Sequence, residues 1–253
     1  MKLGISNLIW DNIKTSELVP ILVSNNIKYV EVILSKHITK WNDADLSKLQ
    51  EFHNYLECNH IYIKSTQSLF HNSGITSYYN EGFIDHLIKV SDICKNIGIT
   101  QLVLGAPTMR KENNPFGLDD KFSYINSILR KNNQTLLLEP NSRVYGGNYF
   151  YRVDEIVLFI DEMKFSNIKT MIDTHNIILE GEDPSDVFIR NRNYIKHIHV
   201  SEINLGGFIN SEYHNKLSKT LKEFDYDGLV IYEAKPTNNF INEIKNFSKN
   251  YNI

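Results

Sequence analysis

Glu139 in TLLLEPN, Asp173 in IKTMIDTHN, His199 in IKHIHVSE and Glu233 in GLVIYEA each close a short, apolar, β-branched-rich run. They are spaced 34, 26 and 34 residues apart. A charged group placed directly after Leu-Leu-Leu, Met-Ile or Val-Ile-Tyr is costly to bury unless something pairs it. One divalent cation pairs all of them at once. Three carboxylates and one imidazole are a hard-to-borderline donor set. It suits Mn²⁺, Mg²⁺, Co²⁺ or Zn²⁺ bound at an open site better than a closed structural zinc. Taken singly, each residue reads more simply as a solvated or helix-capping group; the ordered set is what points to a metal. His197 lies two residues before His199, so on a strand both face one side. His197 is read as a buried, hydrogen-bonded support for the site.

Eight strands are expected to carry these residues. They centre on LGISNL near residue 5, YVEVIL near 31, IYIKS near 63, QLVLGA near 103, LLLE near 138, TMID near 172, HIHV near 198 and LVIYE near 231. Helical stretches lie between them. TSELVPILVSNN opens on a capping-type Thr15 or Ser16. DADLSKLQEFHNYLECN sets Leu46, Leu49, Phe52 and Leu56 at helical spacing, with Asp43 or Asp45 as start signals. FIDHLIKVSDICKNIG stops on Gly98, and RVDEIVLFIDEMKF and NEIKNFSKNY share the pattern. A strand–helix repeat over 253 residues predicts a single (β/α)₈ barrel domain spanning 1–253. An open doubly wound sheet is disfavoured, because LGISNLIW carries no glycine-rich phosphate turn. Three longer connections follow the third, fourth and seventh strands, on the rim where such barrels do chemistry. The last contains Gly206-Gly207, read as a flexible element.

Composition narrows the function classes. With 42% hydrophobic and 23% charged residues, the chain can build a core. A net charge of −3 without a basic block argues against a nucleic-acid partner. Cys58 and Cys94 are too few for a disulfide framework and form no CxxC, which fits a reducing compartment. The N-terminus lacks the apolar core of a signal peptide, and no apolar run reaches the ~20 residues of a membrane span. A cytoplasmic protein without a membrane partner is expected.

The residues resemble the xylose-isomerase-like TIM barrels, in particular the sugar phosphate isomerase/epimerase group. That group includes the ketose 3-epimerases, with hydroxypyruvate isomerase and inosose dehydratase as relatives. The matches are Glu139 of LEPN, Asp173 of IDT, the H-x-H-x-x-E of HIHVSE and Glu233 of VIYE. Weaker ones are ISNLIW, VEV at Glu31, TQSLF around Gln67, LVLGAP before Arg110 and EPNSRVYGGNY. The resemblance implies one divalent metal on Glu139, Asp173, His199 and Glu233, with Glu139 and Glu233 also the catalytic acid–base pair. It implies isomerisation or epimerisation of a sugar by proton transfer through a metal-stabilised enediolate. Three positions depart from the ketose 3-epimerases. Asn176 stands where they have a substrate-touching His, with His175 one position early; Tyr145 replaces a Glu and Leu205 an Arg.

Candidate substrate residues are Trp10, Gln67, Asn141, Asn176, Glu202 and Lys235. Trp10 offers an apolar wall for a sugar face, or is a core residue at the barrel end. Gln67 and Asn141 are amides suited to hydroxyl groups. Glu202 reads equally as a site residue or a rim salt bridge. Arg110 and Lys235 are able to hold an anion, but each alone reads better as a solvated loop cation, and His214 as a solvated loop residue. The expected partner is a small carbohydrate, with a homodimer carried only by the resemblance. Two other readings stay open: a metal-dependent lyase, dehydratase or hydrolase on the same barrel, and a non-catalytic sugar-binding protein. A nuclease of this type needs further histidines on the second to fourth strands, where only His37 is near.

Overall fold

The alternating strand-like and helix-like runs close on themselves. The computed structural model describes residues 1–252 except 11–12, 39, 42–43 and 112–116, so Asp43 lies outside the described residues. The strands are Lys2–Ser6 (β1), Tyr29–Ile33 (β2), Tyr62–Gln67 (β3), Gln101–Leu104 (β4), Thr135–Leu138 (β5), Ile168–Asp173 (β6), Ile195–Ser201 (β7) and Leu229–Glu233 (β8). Every neighbouring pair is parallel and in chain order, and β1 pairs with β8 to complete a closed barrel. The helices are Thr15–Ser24 (α1), Ser47–Cys58 (α2), Phe83–Asn96 (α3), Leu118–Asn132 (α4), Val153–Met163 (α5), Thr174–Leu179 (α6), Pro184–Asn191 (α7), Glu212–Glu223 (α8) and Phe240–Tyr251 (α9). The fold is a (β/α)₈ TIM barrel, as the repeat predicts. No helix among the described residues is long and apolar enough to cross a membrane.

Ladder register decides which side chains face inward. Ser6 sits opposite Glu31, Glu31 opposite Ser65, Val103 opposite Leu137, Asp173 opposite His199 and Ser201 opposite Glu233. Side chains alternate along a strand, so these residues share the interior. The alternate set, including Ile5, Val32, Leu104, Leu138, Ile198 and Val230, turns outward into one core beneath the helices. Each such fully buried aliphatic side chain contributes ~1.5–3 kcal/mol. The interior carries a small apolar plug of Val103, Leu137 and Met171, with Ile231 inward on the Glu233 face of β8. Its remaining space holds polar groups, with Glu31, Ser65, His197 and His199 all fully buried.

Several local expectations change. Thr15 is the first residue of α1, and the cap position falls on Lys14, which supplies no side-chain acceptor. Thr15 is already helical, so its hydroxyl is one residue too late to cap. Asp45 does act, accepting the Ser47 N–H at 2.9 Å. Leu49 and Leu56 are buried, but Phe52 turns to the surface edge against Trp10 and His37. The connection after β7 is shorter than its sequence suggests, because α8 begins at Glu212. Gly206 has an extended backbone, while a Cβ on Gly207 would lie 2.1 Å from Glu243 Oε1. Close approach, rather than flexibility, explains Gly207.

Candidate metal centre and substrate cavity

Glu139 follows β5 directly, Asp173 and Glu233 end β6 and β8, and His199 lies two residues before the end of β7. The barrel brings all four together, with one ligand atom from each lying within 4.8 Å of the others. His199 Nδ1 is at the middle, 3.2 Å from Glu139 Oε1, 3.3 Å from Glu233 Oε2 and 4.0 Å from Asp173 Oδ2. All are buried. Gly105, on the loop after β4, leaves room for Glu139: a Cβ there would lie 1.5 Å from Glu139 Oε2.

Two of the four are tied from behind. Asp173 caps α6, accepting the Asn176 N–H at 2.7 Å on Oδ1 and the Ser201 hydroxyl at 2.8 Å on Oδ2. His199 Nε2 meets Glu31 Oε1 at 2.7 Å, which fixes the ring and leaves Nδ1 facing the carboxylates. Glu31 Oε2 lies 3.2 Å from His197 Nε2, and His197 Nδ1 lies 2.9 Å from Gln101 Oε1. His197 is thus the buried support expected of it. Glu31, visible in the sequence as one acid inside the run YVEVI, anchors both histidines.

The electrostatics describe a site short of positive charge. Burial, followed by the charges of Glu139 and Glu233, pushes the Asp173 carboxyl up to about 7. Burial alone would lower the His199 pKa, yet Glu31, Glu233 and Glu139 drive it well above the ordinary histidine value. Burial likewise would raise Glu31, but His199 and His197 hold it far below the carboxylate range. Three carboxylates crowded around one imidazole nitrogen fit a divalent cation, which neutralises them without a proton. The sign of the pH effect follows. Below about pH 7 Asp173 keeps a proton in the cation-free protein. Raising the pH removes that proton, weakens the cation-free fold at this point, and strengthens the hold on a cation. Apparent Mg²⁺ or Mn²⁺ affinity is expected to rise between pH 5.5 and 7.5, by up to about tenfold per unit for each proton displaced. Calorimetry across that range checks it; a pH-independent affinity contradicts it.

A cavity of about 310 Å³ opens over the cluster, lined by Glu139, Asp173, Glu233, Asn141, Asn176, Tyr145, His175, Leu205 and Lys235 among others. Of the candidate substrate residues, Asn141, Asn176 and Lys235 therefore reach it. Trp10 does not line it; it borders a different cavity with Asn7, Lys36, His37 and Phe52. Gln67 is buried and donates to Ser6 Oγ at 2.6 Å. Glu202 is turned away as well. Burial would raise its pKa, but bonds from His214, Tyr213 and the Ile209 N–H hold it below the ordinary value. His214 is the second partner in that network, fully buried on α8 rather than solvated, with Nδ1 at 2.8 Å from Tyr251 Oη. Arg110 is also no solvated cation. It is fully buried, donating to Tyr78 Oη and to the carbonyls of Leu104, Glu139 and Phe150 at 2.9–3.0 Å.

The model of one family, described as the xylose isomerase-like TIM barrel, matches residues 20–251. The chain belongs to this family. Among solved structures, this xylose isomerase-like barrel is similar to D-psicose 3-epimerase from Clostridium cellulolyticum H10, crystallised with D-tagatose. The TM-score is 0.74 at 14% identity, covering 99% of this chain and 96% of that one. It is similar to an AP endonuclease, family 2, from Brucella melitensis, with TM-score 0.79 at 13% identity and 98% of both chains covered. It is also similar to a protein assigned as a 3-DHS dehydratase, from Bacillus anthracis, with TM-score 0.71 at 15% identity and 98% of both chains covered. Identities this low establish the shared fold alone. No curated protein matches the sequence.

Proposed function

We propose that this chain is a divalent-cation-dependent isomerase or epimerase of a sugar or sugar derivative, working by proton transfer on carbon. The observation that carries this reading is the asymmetry within the cluster. Glu139, Asp173 and Glu233 all line the cavity, but Asp173, like His199, is tied by hydrogen bonds behind the site, whereas the Glu139 and Glu233 carboxylates hydrogen-bond only with His199 among the described side chains. Two carboxylates with an uncommitted oxygen, both facing the same small cavity, suit removal and return of a proton.

Glu139, Asp173, His199 and Glu233 are the residues to hold the cation. When bound there, a divalent cation supplies polarisation of a substrate carbonyl, which acidifies the neighbouring C–H. One of Glu139 and Glu233 takes that proton, leaving an enediolate of the substrate. Return by the other carboxylate to the opposite face of the same carbon gives an epimer. Return to the adjacent carbon gives the aldose–ketose isomer. Asn141 and Asn176, on the cavity wall, are suited to orient hydroxyl groups, and the cavity above the cluster lets the carboxylates exchange their protons with solvent.

The same proton abstraction serves a dehydratase if a β-hydroxyl leaves, so products distinguish the readings. A nuclease is disfavoured because β2, β3 and β4 end on Ile33, Gln67 and Leu104, and His37 and His71, each four residues past a strand end, meet Asn7 and Ser35 rather than the cluster. The test is a screen of free and phosphorylated sugars in D₂O with Mg²⁺, read by NMR. Deuterium is expected at a carbon beside the carbonyl, together with an epimer or isomer, and both vanish with EDTA. Water loss or phosphodiester cleavage as the sole reaction overturns the proposal.

A further inference from the structure

One buried carboxylate beyond the cluster organises the cavity wall. Glu180, just after α6, has a side chain only 3% exposed. Its Oε1 accepts the Ser142 hydroxyl at 2.7 Å and the Arg143 N–H at 2.9 Å, and its Oε2 faces the Arg143 guanidinium at 3.1 Å. Ser142 N–H also donates to Asn176 Oδ1 at 2.9 Å. These bonds fasten the single turn Arg143–Tyr145, on the loop after β5, against α6. The far side of that loop is held by the Asn148 N–H on the Arg110 carbonyl at 2.7 Å. The result is a fixed position for Tyr145, whose hydroxyl lies 2.9 Å from His175 Nε2 at the cavity wall.

From this geometry we infer that Tyr145 is a substrate-selecting residue and that Glu180 is its positioning residue. The inference rests on the proposed sugar chemistry and adds the class of sugar. The Tyr145–His175 pair, with Asn141 and Asn176 beside it, reads the hydroxyl chain of an uncharged carbonyl sugar. A terminal phosphate is not the feature recognised. Arg110 is enclosed by backbone carbonyls, and Arg143 is turned onto Glu180 and the Tyr151 ring at 4.6 Å. Among the described cavity-lining residues the remaining cation is Lys235, which is exposed. A single exposed ammonium acts only as a point charge, and no second Lys or Arg stands beside it among the described cavity-lining residues.

The experiment compares wild type, Tyr145→Phe, Glu180→Ala, Glu180→Gln and the Tyr145→Phe/Glu180→Ala double variant, all with Mg²⁺. Binding of free ketopentoses and ketohexoses and of their terminal phosphates is followed by ligand-observed NMR. Turnover is followed separately by deuterium exchange. Free sugars are expected to bind in preference to their phosphates. Tyr145→Phe is expected to raise KM about five- to tenfold, the worth of one hydrogen bond, with kcat changed less than twofold. Glu180→Ala should raise KM comparably, Glu180→Gln should restore part of the loss, and the double variant should be no worse than the singles. Mg²⁺ affinity should stay unchanged throughout. Preference for phosphates, unchanged KM in Tyr145→Phe, or additive losses overturn the inference even if exchange occurs. Sugar binding that responds to these variants without any exchange overturns the proposed reaction and leaves the wall assignment standing.

Discussion

Glu233→Gln, and equally Glu139→Gln, is expected to cut proton exchange by on the order of 10²–10⁴-fold, the usual worth of a positioned acid–base group. The amide keeps the shape of the carboxylate but neither takes nor returns a proton. The stability readout runs the opposite way from most buried substitutions. In the cation-free protein these charges crowd one another, as the upward push on Asp173 by Glu139 and Glu233 records. Removing one relieves that crowding, which is expected to outweigh the attraction the same carboxylate has for the His199 ring, so in EDTA the Tm of either Gln variant should match or exceed that of wild type. With saturating Mg²⁺ the order reverses, because a ligand has been lost and with it part of the binding free energy that stabilises the fold. Thermal melts in both conditions, beside exchange rates, check the pair. A variant that is inactive and also less stable in EDTA points to a structural role and sinks the catalytic assignment.

Arg110 carries the largest expected effect on stability. Its guanidinium satisfies the carbonyls of Leu104, Glu139 and Phe150 and bonds Tyr78 Oη, with the Tyr78 and Phe150 rings against its faces. Methionine fills much of the space and leaves all three carbonyls without that donor. Lysine brings a charge without the planar fork and reaches fewer of them. Both Arg110→Met and Arg110→Lys are expected to lose roughly 3–5 kcal/mol, by analogy with breaking other buried charged groups. That corresponds to a fall in Tm on the order of 10 °C in a chain of this size. A solvated loop arginine changed in the same way would shift stability by less than about 0.5 kcal/mol. Denaturant titration of the two variants separates the cases. Because Arg110 grips the Glu139 carbonyl, weaker Mg²⁺ binding should accompany the loss of stability.

Arg110 also marks where the sequence stops being informative. Besides Tyr78 Oη, its partners are three backbone carbonyls, and a carbonyl leaves no mark in residue type. APTMRKENN therefore reads as a polar loop. Glu180 is similar, since LEGED looks like an exposed acidic turn until the Ser142 turn is folded against it. The cluster itself was legible because each member terminates an apolar run, and that placement makes sense only where strand ends converge. His214 was legible in principle. With Leu217 and Leu221 it falls on one stripe at helical spacing, which assigns it to the buried face of α8, but the Gly-Gly segment just before drew it into the loop. Helix α6 spans only Thr174–Leu179 and follows β6 without an intervening residue, too short for a periodicity to show. The cavity wall was legible only as departures, since Tyr145 and His175 gain meaning from meeting each other.

The register of β1 on β8 bears on how this protein comes into being. Lys2, Leu3, Gly4 and Ile5 pair with Leu229, Val230, Ile231 and Tyr232, so the first strand made waits for the last. At ordinary rates of synthesis that wait is on the order of 10–50 s for 253 residues. Throughout it, one edge of β1 offers open backbone donors and acceptors, a template for wrong pairing by another chain. Glu233, the final member of the acidic cluster, sits on the same closing strand. Ring closure therefore also completes the four-residue cluster, and a divalent cation bound there would draw the last strand into place.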